Sequence, residues 1–264
     1  MKYTMDKISA KNGIDTYAVK IDCAGPRPVT GYLTIPANAK PKSLPARVTY
    51  FGYGTGKQGI QGGRKNEIEF YVNAHGYDLG KDDAYYQKFA QSIRSNGQIY
   101  AFDPKQNSDP EKAYFNGMAL RLIRSLQFVK QLPQWDGKNL IACGGSQGGL
   151  QTIWAGGLDQ DVTRCEAAIT WCCDLDGYKA AKRLKGWRPD WVPALGYYDA
   201  VNHAKRIKCP VFITRAGLGD YTCPPSGLAI LYNVITTPVQ IFWYQGSTHG
   251  YVPPKPEKFV HSKK

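Results

Sequence analysis

Short apolar runs bounded by glycine and proline alternate along this chain with longer stretches whose apolar positions fall three and four residues apart. The first pattern has the period of strands, the second that of helices. Residues 15–23 and 31–35 read as two antiparallel strands joined through the turn-forming Gly25-Pro26-Arg27-Pro28. Arg47-Val48-Thr49-Tyr50-Phe51 follows as a core strand and runs into the glycine-rich Gly52-Tyr53-Gly54-Thr55-Gly56; residues 68–72 form another strand. Helical spacing covers 82–96 and 114–132, where Leu120, Leu122, Ile123, Leu126 and Val129 recur. Strand and helix then keep alternating: strand 139–143, a helix from Gln147, strands 166–171 and 211–214, a helix over 226–233 and strand 239–244. This order predicts an α/β fold with a mostly parallel central sheet and helices on both faces. Ligands of such sheets sit beyond the carboxyl ends of the strands, so the loops after strands are where chemistry is expected. The one long irregular stretch, about 174–195, holds Trp187, Trp191 and two prolines, and is expected to cap the site.

With 264 residues, 42% of them hydrophobic, the chain fits one domain over 1–264. No apolar run approaches the roughly 18 to 20 residues of a membrane span, and Met1-Lys2-Tyr3-Thr4 lacks the apolar stretch of a signal peptide. A soluble chain without a membrane partner is expected, cytoplasmic, or periplasmic or secreted if a leader has been removed. Seven cysteines without CxxC spacing argue against a disulfide framework and against a metal site. Buried reduced thiols, and no metal or cofactor, are expected. The net charge of +13 favours polyanions. Its carriers are scattered, as in Lys179, Lys182, Arg183, Lys185 and Arg188, or gathered in the tail at Lys255, Lys258, Lys263 and Lys264, with no nucleic-acid fold signature around them. That leaves a solvated basic surface, or one suited to an acidic glycan, and no nucleic-acid partner.

Chemistry concentrates at Gly144-Gly145-Ser146-Gln147-Gly148-Gly149, directly after the apolar Leu140-Ile141-Ala142-Cys143. A serine at G-x-S-x-G spacing between a strand and a helix suits a nucleophile elbow, whose strained turn lifts the hydroxyl above the sheet. Serine needs a base oriented by a carboxylate. Of the four histidines, His249 lies in the glycine-flanked loop after the last strand, His203 in a helix, and His261 in the tail; His75, after strand 68–72, is the rival. Asp220 follows strand 211–214 in Gly217-Leu218-Gly219-Asp220-Tyr221-Thr222-Cys223-Pro224-Pro225. The order Ser146, Asp220, His249 is that of α/β-hydrolases. The backbone N–H of Gln147 and that of Tyr53 are the expected oxyanion donors.

The run from Tyr198-Asp199-Ala200-Val201-Asn202-His203 through Lys208-Cys209-Pro210 to Asp220 and Cys223-Pro224-Pro225-Ser226, taken with GGSQGG, resembles the acetyl xylan esterase and cephalosporin C deacetylase group, carbohydrate esterase family seven. The resemblance implies an α/β-hydrolase fold and a serine esterase that deacetylates xylo-oligosaccharides and similar small molecules without metal or cofactor. It implies Ser146, Asp220 and His249 as triad, with Tyr53 and Gln147 at the oxyanion hole. The family's Arg-Gly-Gln motif falls here at His75-Gly76-Tyr77, and its glutamate after the histidine is Gly250. The closing helix is also reduced, since Pro253, Pro254 and Pro256 disfavour one. These departures bear on the family's ring-shaped oligomer and leave a homo-oligomer open. Trp171 is expected to wall the acyl pocket, and Trp187, Trp191, Tyr77 and Tyr53, with His75 beside them, to meet an acetylated carbohydrate. An esterase for feruloyl or other short-chain esters, a small peptidase, and a glycan-binding module on an inactive hydrolase scaffold are the alternatives.

Overall fold

The computed structural model, which describes residues 1–59 and 62–264, joins ten strands into one continuous sheet. In chain order the elements are β1 (Tyr3–Lys11), β2 (Ile14–Ile21), β3 (Val29–Pro36), β4 (Leu44–Tyr50), β5 (Ile68–Val72), α1 (Asp83–Ser92), α2 (Pro104–Asn107), α3 (Tyr114–Val129), β6 (Trp135–Gly145) and α4 (Gln147–Leu158). There follow β7 (Arg164–Ala168), a 3-10 turn at Pro193–Tyr197, α5 (Ala200–Ala204), β8 (Val211–Gly217), α6 (Pro225–Val234), β9 (Val239–Tyr244) and β10 (Lys258–Lys263). Across the sheet the strands run β1-β2-β3-β5-β4-β6-β7-β8-β9-β10. Neighbours from β5 to β9 are parallel, whereas β1, β2 and β3 at one edge and β10 at the other pair antiparallel.

The mostly parallel sheet with its packed helices matches the expectation. Helix α3 touches α4, α4 touches α5 and α5 touches α6, so these four form a single layer on one side. That side takes the fully buried positions Ala46, Val48, Leu140, Ala142, Cys165, Ala167, Val211, Ile213, Val239 and Ile241. The intervening positions are half-buried and mostly polar, including Thr49, Cys143, Glu166, Thr214 and Gln240. Polar cross-strand contacts hold the other side: Arg47 bonds Glu67 and Glu166 at 3.1 and 2.7 Å, and Arg164 lies 4.1 Å over the Phe212 ring.

Both edge strands escape a reading based on apolar pattern, because β1 and β10 are exposed almost throughout. Asn12-Gly13, at φ 53° and 76°, makes the two-residue turn from β1 to β2. After the prolines the chain forms no helix; it returns as β10 against β9. Strand β7 stops at Ala168, three residues short of expectation, because Ile169 and Cys172 take φ of 38° and 53° and leave the extended conformation. No helix among the described residues is long and apolar enough to cross a membrane.

Candidate active site

Strand β6 ends at Gly145 and α4 begins at Gln147, so Ser146 alone makes the turn, at φ 56° and ψ −117°. This is strained backbone for a residue with a side chain. Neighbours over-determine it: Ser146 N–H donates to the Ala168 carbonyl at 2.9 Å, and its own carbonyl accepts from Trp171 and Leu150, both at 3.0 Å. A Cβ on Gly144 would stand 2.6 Å from the Tyr50 and Gly148 carbonyl oxygens, and one on Gly148 only 2.1 Å from the Tyr50 oxygen. Glycine at these two places lets α4 rise directly against the end of β4.

Asp220 lies beyond β8 and His249 beyond β9, and the two loops are tied by Gly219 N–H donating to the Ser247 carbonyl at 2.9 Å. Asp220 is buried. One carboxylate oxygen accepts the backbone N–H groups of Thr222 and Cys223 at 2.8 and 2.9 Å, and the other pairs with His249 Nδ1 at 2.9 Å. Held in this way, the carboxylate fixes the imidazole with Nε2 free. The Cys223 thiol lies against the Ser146 hydroxyl, and burial drives its pKa well above the ordinary thiol value.

The loop after β4 passes beside the elbow, with a Cβ on Gly52 only 3.6 Å from the Gly145 carbonyl. Its Tyr53 ring stacks on Tyr100 at 4.1 Å and meets the edges of Trp171 and Trp187 at 5.6 and 4.6 Å. Tyr100 was not legible as a site residue, since it stands in an irregular stretch with no motif around it. Its hydroxyl accepts Gly54 N–H at 3.0 Å and donates to Gln147 Oε1 at 2.9 Å, while the Tyr53 hydroxyl donates to the Tyr100 carbonyl at 3.2 Å. One phenol thus joins the glycine loop to the first residue of α4. Burial raises its pKa far above that of free tyrosine, so it stays protonated and serves as donor and acceptor together.

His75-Gly76-Tyr77 supports that loop from behind. Asn73 Oδ1 accepts the N–H groups of His75 and Gly76, Arg121 and Arg27 donate to the Ala74 and His75 carbonyls, and the Tyr77 hydroxyl donates to the Gly56 carbonyl. His75 is buried with Nδ1 2.8 Å from the Tyr114 hydroxyl, and burial, helped by Arg121 and Arg27, holds its pKa down at about 3. It has no carboxylate partner here, unlike His249. His203 bonds the Tyr197 carbonyl from α5, and His261 sits exposed on β10. Among the aromatic residues named from sequence, Trp171 and Tyr77 are buried and Trp187 is 36% exposed. Trp191 stands apart, packed beside Gly196. The irregular segment is moored over the site by Trp171 Nε1 donating to the Trp187 carbonyl and by Trp187 N–H donating to Thr222.

A serine at positive φ in a strand-to-helix turn of a mostly parallel sheet, with a carboxylate and a histidine beyond later strand ends, defines an α/β-hydrolase fold. Two solved structures have this architecture: an acetyl xylan esterase from Paenibacillus sp. R4, with TM-score 0.77 and 22% identity over 96% of this chain and 85% of that one, and acetyl xylan esterase 1 from a Thermoanaerobacterium species, with TM-score 0.75 and 18% identity over 96% and 84%. The sequence profile of the acetyl xylan esterase family matches residues 2–186 and 179–263, two stretches that meet inside the irregular segment. The acetyl esterase Axe7A of Xylanibacter ruminicola is 31% identical over 250 residues, 90% of this chain and 54% of that protein. The chain therefore belongs to the acetyl xylan esterase family, a family of carboxylic ester hydrolases, and spans about half the length of that curated relative.

Proposed function

We propose that the chain is a serine esterase that removes acetyl groups from acetylated xylan or xylo-oligosaccharides. The observation that carries this reading is Ser146 at positive φ above the carboxyl end of the sheet, in the same layer as the bonded His249–Asp220 pair, in a member of this family. His249 Nε2 takes the Ser146 proton as Oγ attacks the acetyl carbonyl. Asp220 keeps the imidazole in the required tautomer and balances the imidazolium that forms. The developing oxyanion rests on the N–H groups of Gln147 and Tyr53, which Tyr100 holds in register. The imidazolium then protonates the sugar oxygen as the ester C–O bond breaks. Water, deprotonated by His249, attacks the acetyl-serine; acetate leaves and Ser146 recovers its proton.

Trp187 supports a carbohydrate acceptor, since its ring is partly exposed beside Tyr53. Buried Trp171 backs the acyl side, while Tyr77 and His75 act on the substrate only through the loop they support. Acetate release from acetylated xylan and defined xylo-oligosaccharides tests the assignment. Ser146→Ala is expected to lower the rate by at least about 10³-fold; an undiminished rate contradicts it. Faster turnover of butyryl or feruloyl esters than of acetyl esters would replace the acetyl part of the reading.

A further inference from the structure

The turn that carries Asp220 also carries a thiol for which ester hydrolysis has no use. Cys223 is 3% exposed, its N–H is bonded to Asp220, and its Sγ lies against the Ser146 hydroxyl. One donor atom from each of Asp220, Cys223 and His249 lies within 4.8 Å of the other two. Carboxylate, thiolate and imidazole together are the donor set of a borderline-soft divalent cation. Around tetrahedral zinc, with bonds of about 2.0 to 2.3 Å, donor atoms stand roughly 3.3 to 3.7 Å apart. About an ångström of movement therefore closes the set. His249 can supply it: its side chain is 30% exposed and its loop runs between Gly246 and Gly250. Asp220 and Cys223 are already fixed to each other through the backbone of one turn.

We propose that Asp220, Cys223 and His249 form a binding site for zinc or a similar thiophilic divalent cation, with the Ser146 oxygen or a water as fourth ligand, and that occupancy reversibly silences the esterase. On binding, the cation displaces the thiol proton to solvent, while the neutral imidazole shifts its own proton from Nδ1 to Nε2 and ligates through Nδ1. No electron transfer is involved. The ligated imidazole is drawn from its hydrolytic alignment and the carboxylate is spent on the cation, so Ser146 loses its base. The silencing rests on the reading of Ser146, Asp220 and His249 as a hydrolytic triad; the binding site does not.

Two measurements keep those claims separate. Cadmium chloride titrated into wild-type and Ser146→Ala protein is expected to raise the ultraviolet thiolate-to-cadmium charge-transfer band at one equivalent in both. The band should be absent in Cys223→Ala. Zinc chloride is expected to inhibit 4-nitrophenyl acetate hydrolysis by the wild type more than tenfold, with recovery on addition of a chelator. Cys223→Ala, compared with its own zinc-free rate, should need at least tenfold more zinc for half inhibition; Cys223→Ser provides a second variant should the alanine protein not fold. Absence of the band in the wild type, equal zinc sensitivity of wild type and Cys223→Ala, or stimulation by zinc each overturns the proposal. Persistent hydrolysis by Ser146→Ala would instead overturn the triad and leave the cadmium result untouched.

Discussion

Ser146 keeps its strained backbone because carbonyl oxygens from two other strands close around it, and that dependence can be tested one glycine at a time. Gly148 faces the Tyr50 carbonyl so closely that an added Cβ would sit 2.1 Å from it, whereas the nearest atom to a Cβ on Gly145 is the Ala168 Cβ at 3.7 Å. Gly148→Ala is expected to cost more than about 3 kcal/mol, since rigid backbone has to move, and Gly145→Ala less than about 1 kcal/mol. Urea midpoints of the two variants check the contrast, and equal losses would refute it. Spacing alone pointed to Ser146, because G-x-S-x-G after a buried strand has a steric reason of its own. The chain order of Asp220 and His249 likewise follows from which strand ends they occupy. The Cys223 thiol beside the serine hydroxyl was not legible, because Cys223 and Ser146 meet only when β6 and β8 are brought to the same edge of the site.

Among the elements, the glycine loop after β4 depends most on long-range support. Tyr100 bridges it to α4 with one hydroxyl, accepting from Gly54 and donating to Gln147. Tyr100→Phe keeps the stacking on Tyr53 and removes both bonds, so kcat is expected to fall about 10- to 100-fold with KM changed little, as befits donors displaced by a fraction of an ångström. An equal rise in KM would make Tyr100 a substrate-binding residue instead. Behind the loop, His75 is held neutral with its pKa at about 3, below the ordinary 6.5. As pH falls below about 6.5 the unfolded chain takes up a proton that the folded chain refuses. Stability from this group is therefore complete above that value and declines toward pH 3, by about 1.4 kcal/mol per pH unit. Between pH 7 and pH 5 the wild type should lose about 2 kcal/mol more than His75→Gln in urea unfolding; parallel losses would exclude His75 as the source. The strands and helices bearing the site were readable from periodicity. Loop supports such as Tyr100 and Arg121 were not, since their partners lie 46 to 47 positions away in the chain.

At the scale of the whole molecule, the site sits where strand ends converge at the centre of the mostly parallel sheet. The succession of strand and helix made the parallel centre of that sheet readable in the sequence. Edge strands β1 and β10 were hidden, because what holds them is backbone pairing, which leaves no apolar signature. None of this displaces the turn at Ser146, because β6 lies at the centre of the strand order, α4 is buried behind it, and the loops after β4, β8 and β9 meet there. In the proposed mechanism Ser146 carries the acetyl group between the two halves of the reaction. Acid-quenching the protein within its first turnovers of 4-nitrophenyl acetate, then mapping peptides by mass spectrometry, tests it directly. Acetyl on Ser146, absent from Ser146→Ala and longer-lived in His249→Ala, is the predicted result; acetyl on another residue, or turnover by Ser146→Ala at the wild-type rate, would contradict it.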